Sequence, residues 1–340
     1  MKKDPLHHPE AFARALADWF KANARDYPWR RTTDPYAILV SEIMLQQTQI
    51  ATVLDRGYYT RWLESFPDFK TLAQADESVV LKAWEGLGYY RRARNLHKLA
   101  QTILTEHDGV FPRDIEFIRK LPGIGPYTAG AVASFAYDEA QPIVDGNIAR
   151  VLARLFDDPT PVDSTAGMKT LWKRADALVK KSRSARIHNS ALMELGQTIC
   201  KPADPNCAAC PVRSFCLAKA PSSLPVKSKR TKITDVTERV FLLQHEESVL
   251  LEQEIGNRRT GLWKLPALLA NDRQPPVLHK ASYSITRYRV TLWIHEAPHK
   301  TTQLPNSRFI PLTELPSLPM PSPYRRALES VLKDKHFQPG

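Results

Sequence analysis

Outside one short segment the chain has no cysteine: its 340 residues contain four, at 200, 207, 210 and 216. That distribution excludes the dispersed disulfide framework of a small secreted domain. No apolar run approaches the ~18 residues of a membrane span. Met1 to Glu10 carries Lys2 and Lys3 but no apolar stretch of the kind that marks a secretory leader. These absences predict a cytoplasmic chain with no membrane contact. No internal repeat is visible. The ten histidines show no metal-ligand spacing, and His7–His8 reads as a loose start.

What is present begins with charge. Lysine and arginine total 48 against 36 aspartates and glutamates, a net charge of +12, which points to a polyanionic partner. A merely soluble basic protein is the plainer alternative. The length allows two domains, each with its own core.

Residues 10 to about 220 read as helical, because no clean period-two alternation interrupts them. Asp34-Pro35 has the form of an N-cap followed by a first-turn proline and opens a run over Tyr36 to Leu54. Asp76 caps Glu77 to Trp84. Further helices are predicted over Thr170–Lys181 and Asn189–Ile199. Residues 221–236, rich in proline, serine and lysine, read as an exposed linker, with a DNA-facing strap as the alternative. Strand-like runs follow at Val240–Leu243, Val249–Leu251 and Tyr283–Ile294. The expected division is therefore a helical domain at 1–220, a linker at 221–236 and a small α+β domain at 237–340.

The cysteines are spaced C-x6-C-x2-C-x5-C. Thiolates suit zinc or an iron–sulfur cluster. Only one C-x2-C knuckle is present, and that favours one compact cluster over tetrahedral zinc. Leu121 to Gly130 reads as a helix end, a two-glycine turn and a new helix start. Gly123 and Gly125 let the backbone approach a ligand, and the opening N–H groups of the next helix can seat a phosphate. This helix-hairpin-helix pattern grips a DNA backbone without reading its sequence. Gln46, Gln47 and Thr48 form a polar stripe after Leu45. Tyr89 and Tyr90 sit in a glycine turn ahead of three arginines. Such residues can fill the hole left by an extruded base, although core packing also explains the tyrosines.

Two carboxylates stand in opposed settings. Glu42 lies among Ile38, Leu39, Val40, Ile43 and Met44, and apolar surroundings raise a carboxyl pKa. Asp145 lies where the chain enters a helix over Ile148–Phe156, and a helix N-terminus favours the anion. A plain N-cap is the modest reading of Asp145. Together they suit glycosidic-bond cleavage, which needs one acid for the leaving group and one anion for the sugar cation.

Ser41–Gln49, Gly86–Tyr90, Leu121–Gly130, Val144–Asn147 and the four-cysteine loop resemble the adenine DNA glycosylase (MutY) family. The resemblance covers roughly residues 10–220. It implies a mainly α fold, a helix-hairpin-helix glycosylase with an iron–sulfur cluster loop, followed by a small, truncated α+β domain of the MutT/Nudix kind. It implies a [4Fe–4S] cluster on Cys200, Cys207, Cys210 and Cys216. The implied substrate is double-stranded DNA carrying adenine opposite 8-oxoguanine or guanine, bound by a monomer. Glu42 would protonate adenine, and Asp145 would stabilise the sugar cation. Asn147 would support the acid or a water, and Tyr127 would line the same pocket. Trp29 and Arg30 match residues beside the flipped base; Gln47 and Tyr89 match wedge positions. Endonuclease III-like relatives place a lysine where Tyr127 stands, so base removal without strand cleavage is implied. In the C-terminal domain Gly261–Pro266 resembles an entry motif, and the opposite-base reader aligns near Thr286 and Arg287. The segment between Pro266 and Tyr283 is short enough to lack a helix. No catalytic Nudix signature is present. Ser190 replaces the Glu or Gln of many relatives. An endonuclease III-like lyase and a silent DNA-binding protein are the competing readings.

Overall fold

The computed structural model describes residues 3–228, 232–256, 259–268, 275–298 and 304–336. Residues 229–231 of the expected linker lie outside them, as do residues 269–274 of the interval in which a helix was expected to be lacking.

Twelve helices occupy the described residues up to 198: α1 Pro9–Asn23, α2 Pro35–Leu45, α3 Ile50–Asp55, α4 Tyr58–Ser65, α5 Phe69–Gln74, α6 Glu77–Ala83, α7 Arg91–Glu106, α8 Ile115–Ile118, α9 Pro126–Tyr137, α10 Gly146–Leu155, α11 Thr165–Val179 and α12 Ala185–Thr198. Seven strands follow: β1 Thr234–Leu242, β2 Gln244–His245, β3 Ser248–Gln253, β4 Trp263–Lys264, β5 Val277–Ile285, β6 Tyr288–Glu296 and β7 Ser307–Pro311, before α13 Ser322–His336.

Two compact units emerge. The first comprises residues 1–52, 66–70 and 99–230; the second comprises 53–65, 71–98 and 231–340. This division departs from a linear boundary near residue 220, because two helical stretches cluster with the strands. In the first unit α12 packs on α1 and α10, and α2 on α9. Its core runs through Phe12, Leu16, Ile148, Leu152, Leu192 and Leu195. In the second unit β1, β6 and β5 form one sheet in that order, with β1 parallel and β5 antiparallel to β6. β2, β3 and β4 form another sheet, with β7 on β3. Val240, Leu251, Leu292, Ile294 and Leu328 fill the core there.

Two expected runs are broken. Tyr36–Leu54 is not one helix: α2 ends at Leu45, Gln46 is extended, Gln47 has a left-handed backbone (φ 59°), and α3 begins at Ile50. Tyr283–Ile294 is not one strand: Ile285 pairs with Tyr288, so Thr286 and Arg287 form a two-residue hairpin turn.

Candidate active site

α2 starts on a firm cap. Asp34 accepts hydrogen bonds from the backbone N–H groups of Tyr36 and Ala37, both 3.1 Å, and Pro35 fills the first turn. Every residue from Tyr36 to Met44 is buried, as a helix apolar on all sides requires. Glu42 is thereby carried into the interior, 5% exposed. Burial pushes its carboxyl up to about 7, the Tyr127 hydrogen bond opposes this, the nearby Asp145 charge adds to it and the Arg30 cation subtracts from it.

Tyr127 donates to Glu42 Oε2 at 2.9 Å. It stands in the first turn of α9, directly after the hairpin. There Gly123 has φ 76°, a conformation that favours glycine, and Gly125 caps the helix with extended backbone. Burial raises the Tyr127 phenol well above its ordinary value, and the Glu42 charge adds to this. A side chain at Gly130 would place its Cβ 2.3 Å from the Pro142 carbonyl oxygen, so α9 lies directly against the segment that leads to Asp145.

Asp145 caps α10. Its Oδ1 accepts from Ile148 N at 2.7 Å and its Oδ2 from Asn147 Nδ2 at 2.9 Å. The expected dominance of the helix N-terminus is corrected here. Burial raises the Asp145 carboxyl above its ordinary value, and the donors from Ile148 and Asn147 and the Arg150 charge offset this only in part.

These groups share one cavity of about 1490 Å³. Glu42, Tyr127, Asp145 and Asn147 line it. So do Trp29 and Arg30, which stand in a short 3-10 turn where the Tyr27 ring stacks on Trp29 at 5.2 Å. Leu45, Gln46, Gln47 and Thr48 line it from the break after α2, and Gln46 Nε2 donates to Thr128 Oγ1 at 3.3 Å. Gly123, Gly125 and Ser190 also line it.

Three expected site residues belong to the second unit. Tyr89 is 38% exposed in a turn where Gly86, Gly88 and Tyr89 itself all have positive φ. Trp84 Nε1 and Arg92 Nη2 donate to the Gly88 carbonyl, and the Arg92 guanidinium lies 5.6 Å from the Tyr89 ring centre. Thr286 and Arg287 are exposed at the β5–β6 turn, where Arg287 Nη2 donates to Tyr288 Oη at 3.1 Å.

The four cysteines are half-buried in the loop after α12. Burial pushes the Cys210 thiol up to about 12, a hydrogen bond from Val212 opposes this, and Cys200, Cys216 and Cys207 add to the rise. Cys200, Cys216 and Cys207 are thus near enough to act on the Cys210 thiol. Among the described residues no group of three or more His, Cys, Asp or Glu is arranged to hold a metal ion. The donor set, thiols alone with an arginine beside them, has the chemistry of an iron–sulfur ligand loop.

Three residues escaped the sequence reading. Arg150 Nη2 donates to Asn147 Oδ1 (3.0 Å) and to Gly196 O (2.7 Å), and Nε donates to Cys200 O (2.8 Å). Buried Arg154 donates to Cys200 Sγ (3.3 Å), Lys201 O (2.6 Å) and Pro202 O (2.8 Å). Hydrogen bonds therefore run continuously from Asp145 through Asn147 and Arg150 to the cysteine loop. The third is Glu194, fully buried between Arg25 and Arg30. The arginines form an i, i+4 pair on α10, a visible signal; the partners of Glu194 lie too far off in sequence to be read.

Residues 40–177 match the family model of the HhH-GPD superfamily base excision DNA repair protein. Adenine DNA glycosylase from Homo sapiens is 44% identical over 218 residues, covering 62% of this chain and 39% of that protein. Adenine DNA glycosylase from Buchnera aphidicola subsp. Baizongia pistaciae (strain Bp) is 33% identical over 302 residues, covering 86% and 83%. The chain spans about two-fifths of the length of the mammalian relatives it matches. A thermostable thymine-DNA glycosylase superposes with a TM-score of 0.57 at 30% identity, covering 63% of this chain and 98% of its own. A non-covalent endonuclease III–DNA complex superposes at 0.51 with 23% identity over 64% of this chain and 96% of its own, and shares the fold.

Proposed function

The chain belongs to the adenine DNA glycosylase family, and from that premise we propose that it is a monofunctional glycosylase of base excision repair. It hydrolyses the N-glycosidic bond of adenine opposite 8-oxoguanine or guanine, after the adenine has been extruded from the duplex. One observation carries this reading: a buried carboxyl poised at about 7 shares a cavity with a second, hydrogen-bonded carboxyl.

With its carboxyl pushed up to about 7, Glu42 carries a proton in about half of the molecules at neutral pH and donates it to the purine ring, which makes the base a better leaving group. Asp145, whose anion accepts from Ile148 N and Asn147 Nδ2, stabilises the sugar as it becomes positive. Tyr127 orients Glu42 through its hydroxyl. A phenol cannot form a Schiff base, so the strand is left intact. Trp29 and Arg30 flank the extruded base; Leu45, Gln46, Gln47, Thr48 and Tyr89 contact the opened duplex; Gly123 and Gly125 bring backbone N–H groups to a phosphate. Residues 1–220 carry this chemistry, 221–236 link, and 237–340 read the opposite base through Thr286 and Arg287. Cys200, Cys207, Cys210 and Cys216 hold a [4Fe–4S] cluster. A cluster held by these thiolates would tie the loop together, and Arg154, which donates to Cys200 Sγ, would offset its ligands' negative charge. The enzyme acts as a monomer on chromosomal DNA in the cytoplasm.

Single-turnover release of adenine opposite 8-oxoguanine, guanine and thymine tests the reading. Glu42→Gln is expected to bind the duplex and to lose at least about a hundredfold in rate. Release at the wild-type rate by that variant, or a borohydride-trapped DNA adduct of the wild type, overturns it.

A further inference from the structure

Glu194 lies in α12 with its side chain wholly out of solvent, and nothing in the proposed chemistry uses it. Two cations meet it. Arg30 Nη2 stands 2.8 Å from Oε2 and Arg25 Nε 3.2 Å from Oε1. The other contacts of Arg30 fix its direction. Its guanidinium lies over the rings of Phe20 (5.2 Å) and Tyr27 (4.8 Å), and Nη1 donates to the Arg25 carbonyl at 2.8 Å. Arg30 and Glu42 nevertheless line the same cavity.

A guanidinium beside an acid is a hazard to that acid. An opposite charge within ~4–6 Å favours the carboxylate and strips the proton a general acid must keep. The groups that act on Glu42 are Tyr127 from α9, Asp145 at the head of α10, and Arg30 from the 3-10 turn before α2. Among the described residues Glu42 takes its hydrogen bond from Tyr127. The guanidinium of Arg30 is already engaged by another anion.

We propose that Glu194 is a positioning residue: it binds the Arg30 guanidinium and denies it to Glu42, so that Glu42 remains a proton donor. The inference rests on the glycosylase reading for its purpose but not for its measurement. Without the Glu194 charge, Arg30 keeps its cation at the edge of the cavity that Glu42 lines, and its pull on the Glu42 carboxyl is no longer shared with another anion.

The test is a 13C NMR titration of the Glu42 side-chain carboxyl in the full chain, assigned by its loss in Glu42→Gln. The wild-type midpoint is expected near 7. In Glu194→Gln it is expected to fall by about one pH unit. In Glu194→Asp, which keeps the charge, it is expected to stay near the wild-type value. A folded Glu194→Gln with an unmoved midpoint, or a Glu194→Asp midpoint displaced as far as that of Glu194→Gln, overturns the proposal. If Glu194→Gln does not fold, the double variant Arg30→Gln/Glu194→Gln is compared with Arg30→Gln: equal midpoints support the proposal, because Glu194 then acts only through Arg30, and a double-variant midpoint below that of Arg30→Gln overturns it. Adenine release adds a second reading. In Glu194→Gln the rate is expected to fall about tenfold at about pH 8 and to stay near wild type at about pH 5. If the midpoints move as stated while no variant, nor the wild type, releases adenine, the glycosylase reading fails and the positioning role stands.

Discussion

Glu42 is held where an ionised carboxylate is costly, and that cost is a measurable property of the fold. Its carboxyl titrates at about 7 in the folded chain against 4.5 for the free group. Below the lower value both states keep the proton and pH has no effect. Between the two the unfolded chain releases a proton that the folded chain retains, so stability falls as pH rises, by roughly 3 kcal/mol in all, and levels off above the upper value. Glu42→Gln removes this dependence while keeping an acceptor for Tyr127. The variant is expected to be more stable than the wild type at about pH 8, by about 2 kcal/mol more than at about pH 5. Urea unfolding at the two pH values checks this, and an advantage that does not grow would refute it. Tyr127→Phe probes the same site in the opposite sense. The Tyr127 hydroxyl helps hold the Glu42 carboxyl down, so its removal is expected to move the pH above which adenine release declines upward. A pH–rate profile moved downward would contradict that.

At the scale of elements, close backbone approach decides where the second carboxyl stands. Gly130 admits Pro142 against α9, and Gly196 admits Asn147 against α12, where a Cβ would stand 2.9 Å from that of Asn147. Gly130→Ala forces a methyl into a backbone carbonyl that has no flexible side chain to yield. A loss of about 1–3 kcal/mol is expected, typical of overpacking. Gly146 in the first turn of α10 meets nothing within 4 Å, so Gly146→Ala is expected to change stability by less than about 1 kcal/mol. Thermal unfolding of both variants separates the two; equal effects would show that the approach at Gly130 is slack. The same scale explains what could be read in advance. The caps at Asp34, Asp76 and Asp145 were legible because a cap is a contact across two or three residues. The break after Leu45 was not, because Gln46 and Gln47 bend the chain with no glycine or proline to announce it. The turn at Thr286–Arg287 was hidden for the same reason. The contrast between Glu42 and Asp145 was legible from their neighbours, but the part of Tyr127 was legible only through resemblance: Glu42 and Tyr127 are 85 residues apart, and the hydrogen bond between them leaves no local trace.

Across the whole molecule, sequence order and compactness disagree. Helical residues 71–98 close a unit with the strands and α13. Tyr90, buried, donates its hydroxyl to the Met320 carbonyl at 3.0 Å. Arg325 on α13 forms an ion pair with Glu85, and its Nη2 donates to Glu85 Oε2 at 3.1 Å. Gly261 sits beside Leu81 and Arg94. A chain ended after Ser228 therefore strips partners from the middle of its helical part, not from its end. It leaves Glu85 with Lys82 but without Arg325, and Tyr90 without its acceptor, and both groups lie within one turn of Tyr89. Local opening is governed by such buried contacts. Amide hydrogen exchange over residues 77–98 is expected to quicken at least about tenfold in the shortened chain, a loss of about 1.4 kcal/mol or more in local opening free energy. α9 and α10, whose packing partners lie in the first unit, are expected to keep their protection. Uniform quickening across both regions would mean that the two units unfold as one. No change over 77–98 would mean that the hydrogen bond to Met320 and the pair with Arg325 hold nothing in place.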